Sequence, residues 1–281
     1  MKTPREHFAL VIVALCVAAF ALAPILLLFA TSLKADLNQI LRDFGTARAF
    51  YVEPWDMSLD NFRKVLSNTT FPVLRYMINS AIIVVSIVIV GIFVNSLAAY
   101  VLARLQFPGR NYLVMAIIAL IIVPTESLAV PLLLMMNQVG WTDTYQAQII
   151  PFIAHPFSIF LFYQFFTLLP KELDEAAHVD GASRLTTYWR IIMPLSLPTI
   201  ATVAILQSLE YWNAFLWPLM VTRGSAVRPV SLALAQFFST PPPVWGEVMA
   251  FSTLMSLPIL AVYLVFQRWF IQSAMGSGVK G

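Results

Sequence analysis

The sequence predicts an all-α integral membrane protein with six transmembrane helices, on three observations. Of its 281 residues, 59% are hydrophobic and only 11% are charged, more apolar surface than a soluble domain of that length can use. The apolar residues gather in six runs, each near the roughly 20 residues that cross a hydrocarbon core at about 1.5 Å per residue. These runs are apolar all round rather than along one stripe, as lipid-facing helices are.

The spans are expected at 8–30, 78–102, 113–136, 149–169, 197–220 and 248–271, within a single membrane domain over 1–281. The first resembles a secretory signal, with Lys2 and Arg5 ahead of it and Ala19 and Ala21 inside it. Its apolar run continues through Phe29, past the usual signal core of about 7–15 residues, and retention as an anchor suits it better. Pro24, Pro124, Pro131, Pro156, Pro198 and Pro258 fall in the spans. Each predicts a kink, tolerated where neighbouring helices or waters satisfy the freed carbonyls.

Chemistry is sparse. Cys16 is the single cysteine, and His7, His155 and His178 are scattered, so there is no disulfide framework or metal-ligand spacing. His155, beside Pro156, reads as a hydrogen-bonded packing residue, although intramembrane ionisable groups are enriched in function. No GxxxxGK followed by Ser or Thr occurs, so any ATP must bind another subunit. No nucleophile stands with a base, which argues against an enzyme, and nothing points to nucleic acid.

With the amino terminus inside, the cytoplasmic side holds Lys2, Arg5, Arg104, Arg110, Lys171, Arg184, Arg190, Arg268 and Lys280. The other side holds Lys34, Arg42, Arg48, Arg63, Lys64, Arg75, Arg223 and Arg228, diluted by Asp36, Asp43, Glu53, Asp56 and Asp60. This balance supports that orientation weakly.

The connection 170–196 carries a distinct pattern. Leu169 and Pro170 close the fourth span, and Lys171 to Glu175 open a short helix whose carboxylates suit its amino end. Ala176 and Ala177 keep that helix slim, Gly181 permits a turn, and a second short helix from about Arg184 to Ile192 leads back to the membrane. Physics alone equally allows an amphipathic connector at the interface. The residues Glu175, Ala176, Ala177, Asp180, Gly181, Ala182, Ile191 and Pro194 resemble the signature loop of type I ABC importer permeases, with Met193 where that family has leucine. The swap conserves volume. The resemblance implies a coupling helix-turn-helix docked in a cytoplasmic ATPase, with both termini inside and 31–77 and 221–247 as external loops.

Two stretches resemble the maltose-type, carbohydrate-importing subfamily, particularly its shorter permease. The end Gln267-Arg268-Trp269-Phe270 and Gly276-Ser277-Gly278-Val279-Lys280-Gly281 looks like a tail that reaches the ATPase, though a short Gly-rich end also suits simple disorder. The segment Gln236 to Trp245, with Phe237, Phe238, Ser239, Thr240, Pro241, Pro242 and Pro243, is expected as an extended projection. The resemblance implies that it meets a sugar-binding protein; a plain connector would read alike. Met57-Ser58-Leu59-Asp60-Asn61-Phe62 resembles the family too but marks no site.

Inside the spans Asn95, Glu126, Glu210, Trp212 and Asn213 are expected to face the interior and line a pathway, because polar groups facing lipid are costly. Helix–helix hydrogen bonding would place them there too. The resemblance further implies a second homologous permease in a heterodimer, two ATP-binding subunits carrying ATP and Mg, and an extracytoplasmic binding protein, in the bacterial inner membrane. This chain itself would bind no cofactor. An ion- or proton-coupled secondary transporter is the alternative, with Glu126 and Glu210 as coupling carboxylates; a polyol or glycerol phosphate is the alternative substrate.

Overall fold

The computed structural model describes residues 4–239 and 243–278. Among them the regular structure is helical, with one isolated antiparallel bridge between Lys34 and Met57. In order the helices are α1 (Pro4–Ser32), α2 (Leu37–Asp43), α3 (Asp60–Ser67), α4 (Val73–Arg104), α5 (Arg110–Ile122), α6 (Ala129–Gln138), α7 (Tyr145–Ile149) and α8 (Pro156–Leu168). There follow α9 (Glu172–Val179), α10 (Arg184–Thr187), a π turn (Tyr188–Ile192), α11 (Met193–Leu195), α12 (Leu197–Trp212), α13 (Leu216–Val221), α14 (Val230–Phe238) and α15 (Trp245–Gly278).

Four stretches are each long and apolar enough to cross a membrane: Leu10–Ser32, Val73–Arg104, Tyr145–Leu168 and Trp245–Trp269. Two bent pairs bring the total to as many as six. The third expected span is not a kinked rod: the segment before Val123 and the segment after it meet at 94°. Pro124 explains this, since the residue before a proline leaves the helical region, and Val123 is extended with ψ 119. Arg184–Leu195 and Leu197–Trp212 meet at 75° around Ser196, between Pro194 and Pro198. The fifth expected span, 197–220, is interrupted again at 213–215. Pro24 and Pro258, by contrast, sit inside unbroken helices.

The chain forms two compact units. The first takes its described residues up to Arg75, with Ala233–Pro258. The expected loop 31–77 is here largely folded rather than open: Asp36 caps α2 through Asn38 N, and α3 carries buried Asn61 and Val65. Asn61 Nδ2 donates to Ser32 O at 3.0 Å and Lys34 O at 2.8 Å. A Cβ on Gly246 would stand 2.6 Å from that nitrogen. Because Asn61 is held at both carbonyls it cannot swing aside, and Gly246→Ala is expected to cost about 1–3 kcal/mol, read as a lower melting temperature of the purified chain in detergent.

The second unit takes Tyr76–Leu232 and the described residues from Ile259. Its core joins Ala99, Tyr100 and Ala103 of α4, Phe162 and Phe166 of α8, Tyr188 and Ile192 of the π turn and Val203 of α12. Tyr188 is tied to α4 by its hydroxyl, 2.8 Å from Ser96 Oγ. The rings of Tyr100 and Tyr188 lie 5.3 Å apart.

Candidate functional site

Two features of the second unit bear on function. The first is the turn between α9 and α10. Glu172, Asp174 and Glu175 occupy the first turn of α9, where the exposed N–H groups favour carboxylates. Asp180 ends that helix, and Gly181 adopts φ +78, a left-handed conformation that a side chain would strain. Ser183 then opens α10 by accepting from Thr186 N. Ala177 is buried against the protein, whereas Glu175, Ala176, Asp180 and Gly181 face outward. Nothing lies within 4 Å of where a Gly181 Cβ would be. Ile191 and Pro194 lie beyond, in the π turn and α11.

This outward surface rests on a fixed base. Arg104, at the end of α4, places Nε 3.2 Å from Asp174 Oδ2 in an ion pair that leaves only 6% of the arginine side chain exposed. Its Nη2 donates to Leu169 O at 3.1 Å. Tyr100 Oη donates to Arg184 O at 3.3 Å. Both short helices are therefore anchored to the last turns of α4. Sequence reasoning found the outward residues but not Arg104 and Tyr100, whose partners lie more than sixty residues away along the chain.

The second feature is a cavity of about 420 Å³ bordered by Glu126, Gln148, Glu210, Tyr211, Asn213 and Trp217 among others. Three helix breaks meet at its walls. Thr125 and Glu126 come from the bend before α6, Phe152 from the break before α8, and Asn213 to Phe215 from the break before α13. Irregular backbone within a membrane domain is stable only inside protein or beside a polar cavity, because lipid offers no hydrogen bonds.

The five expected pathway residues divide here. Glu126, Glu210 and Asn213 line the cavity. Asn95 and Trp212 are buried but do not border it. Asn95 instead braces the backbone. Its Nδ2 donates to Ile153 O at 3.0 Å and its Oδ1 accepts from His155 N at 2.9 Å, satisfying groups freed by the break. His155 caps α8, its Nδ1 accepting from Ser158 N, and its Nε2 lies 3.5 Å from Glu210 Oε2. Gln148, Tyr211 and Trp217 went unnoticed in the sequence, where nothing joins them.

The two loop and tail expectations meet the fold differently. Gln236 to Phe238 are not extended but end α14, and Phe237 packs on Phe71 and Phe251 while Phe238 packs on Trp245. Ser239 and Pro243 flank Thr240, Pro241 and Pro242, which lie outside the described residues. At the carboxyl end α15 runs on to Gly278, so the glycines at 276 and 278 are helical; Val279, Lys280 and Gly281 lie outside the described residues.

Broken spans around a cavity that carries carboxylates, together with an outward helix-turn-helix, suit a polytopic transport subunit. Residues 95–275 match the family of binding-protein-dependent transport system inner membrane components. The chain is 34% identical over 227 residues to the trehalose/maltose transport system permease protein MalG of Thermococcus litoralis, covering 80% of this chain and 82% of that one. It is 32% identical to the arabinooligosaccharides transport system permease protein AraQ of Halalkalibacterium halodurans, covering 94% and 93%. The sn-glycerol-3-phosphate transport system permease protein UgpE of Yersinia enterocolitica is 31% identical, covering 75% and 76%. The fold matches a chain in the crystal structure of a bacterial ABC transporter involved in the import of the acidic polysaccharide alginate. The TM-score is 0.81 at 21% identity, covering 96% of this chain and 99% of that one.

The chain belongs to the binding-protein-dependent transport system inner membrane component family. It is thus a multi-pass membrane subunit of an ABC importer, a transport component rather than an enzyme. Family membership also displaces the ion-coupled alternative.

Proposed function

We propose that this chain is one half of a heterodimeric permease that imports a carbohydrate, driven by two cytoplasmic ATPase subunits that hold ATP and Mg and fed by an external sugar-binding protein. The observation that carries the reading is the exposed turn at Gly181, open on its outer side and anchored beneath by Arg104 and Tyr100. Such a surface suits a groove in a partner and transmits what that partner does. The relatives' names support a carbohydrate substrate, with a polyol phosphate as the alternative. This orientation puts both termini in the cytoplasm and 31–77 and 221–247 outside. The two states of an alternating-access cycle would differ in which way the permease pair opens, and ATP binding biases one of them.

The test is Gly181→Trp in the complex reconstituted in lipid with its ATPase and binding protein. No atom lies within 4 Å of the added Cβ, though the left-handed backbone costs about 1–2 kcal/mol. Binding-protein-stimulated ATP hydrolysis is expected to vanish while the permease still purifies intact. Unchanged stimulation and uptake would remove the coupling assignment.

A further inference from the structure

The cavity's hydrogen-bonding groups are unevenly used. Trp217 Nε1 donates to Ala147 O at 3.0 Å, Gln148 Nε2 to Val227 O at 2.8 Å and Asn213 Nδ2 to Leu209 O at 2.8 Å. The indole N–H and one N–H of each amide on the walls are thus committed to backbone carbonyls. The acceptors are not. Gln148 is 2% exposed, and its Oε1 is buried with no hydrogen-bond partner. A buried polar atom left unmatched costs about 1–3 kcal/mol.

Charge points the same way. Glu126 and Glu210 border the cavity, and no Lys or Arg does among the described residues. His155 lies against Glu210; Glu126 has no ion pair among the described residues. The rings of Tyr211, Trp217 and Phe152 supply apolar faces on which the C–H face of a sugar ring can lie.

We propose that this cavity is a substrate subsite, contributed by this chain itself, for a neutral hydroxyl-rich ligand, and that it rejects anionic ones such as sugar phosphates and uronates. The inference rests on the carbohydrate-import reading. The two carboxylates accept from hydroxyl groups, and a phosphate or carboxylate brought there meets two like charges with no Lys or Arg among the described lining residues to offset them.

Two measurements test it on the assembled transporter in lipid nanodiscs. In a Cys16→Ser background, Thr125→Cys places a thiol on the cavity wall. Its labelling rates by a cationic and an anionic methanethiosulfonate are compared, each normalised to a free thiol. The cation is expected to react at least about tenfold faster, the ratio falling toward one in Glu126→Gln/Glu210→Gln. Equal rates, faster anion labelling, or no labelling by either would overturn the subsite.

In the second measurement, ATP-driven uptake is followed for neutral oligosaccharides, sn-glycerol 3-phosphate and an oligo-uronate. Uptake of a neutral sugar is expected, with Glu126→Gln raising its KM about tenfold; Glu210→Gln takes its place where Glu126→Gln fails to assemble. Selective uptake of an anion would overturn the proposal. Failure to take up any of them would sink carbohydrate import, while the labelling ratio still judges the cavity on its own.

Discussion

Replacing Arg104 by leucine is expected to lower stimulated ATP hydrolysis and uptake together by about an order of magnitude or more, in a complex that still assembles. The side chain is nearly buried between α4 and the turn region, paired with Asp174 and donating to Leu169 O. A displacement of α9 must therefore be felt at the end of α4, and from there along the 32-residue helix. Removing the guanidinium leaves Asp174 facing a partly buried void and frees α9 to move without α4. Arg104→Lys keeps the charge but not the planar fork that reaches carboxylate and carbonyl at once, and an intermediate loss is expected. The exchange Arg104→Asp with Asp174→Arg restores the opposite charges and is expected to recover part of the coupling. If Arg104→Leu hydrolyses ATP and transports like the native chain, the anchor is only structural.

The spanning helices were legible where an apolar run is local and longer than any buried core helix needs: four stand as single stretches long enough to cross, and two more of the expected spans are bent pairs. The turn was legible for the same reason: acidic residues opening α9, Gly181 at its left-handed turn and Ser183 capping α10 all act within a few residues of themselves. The breaks were legible only in part. Proline signalled the bend at Val123, yet it fits without a break at Pro24 and Pro258. The interruption at 213–215 has a signal that was missed. Pro218 has no N–H to give to Ala214 four residues earlier and falls in the first turn of α13, where none is required.

The cavity was only half legible. Glu126, Glu210 and Asn213 were singled out because charge or amide in an apolar run is conspicuous, and all three line it. The same rule selected Asn95, whose amide instead repairs the broken backbone at Ile153 and His155. Sequence cannot separate these roles, since both put a polar group inside; only the position of a distant break does. Gln148 and Trp217 carry no local pattern at all. In the connection 31–77, Asn61 appeared as a weak family marker, whereas its amide clamps two carbonyls 27 and 29 residues away.

Within that connection the largest single loss of stability is expected at Lys34→Met. Lysine is the residue least often buried, yet Lys34 is 1% exposed. Its Nζ donates to Asp43 Oδ2 and Arg48 O, both at 2.7 Å, and its own carbonyl accepts from Asn61. The ammonium thus fastens α2 and the turn at Arg48 to the end of α1, and the backbone carbonyl of the same residue holds α3. Methionine fills the volume but leaves the Asp43 carboxylate, 13% exposed, without its cation, a loss of about 3–5 kcal/mol for a buried pair. The double variant Lys34→Met/Asp43→Leu removes both charges and is expected to recover most of it, because an apolar replacement of a buried pair is often close to neutral. Thermal unfolding in detergent, with limited proteolysis between residues 35 and 60, reads both variants. A double variant no more stable than the single one would mean that the Arg48 carbonyl, left without its donor in each, governs this fold rather than the charge on Asp43.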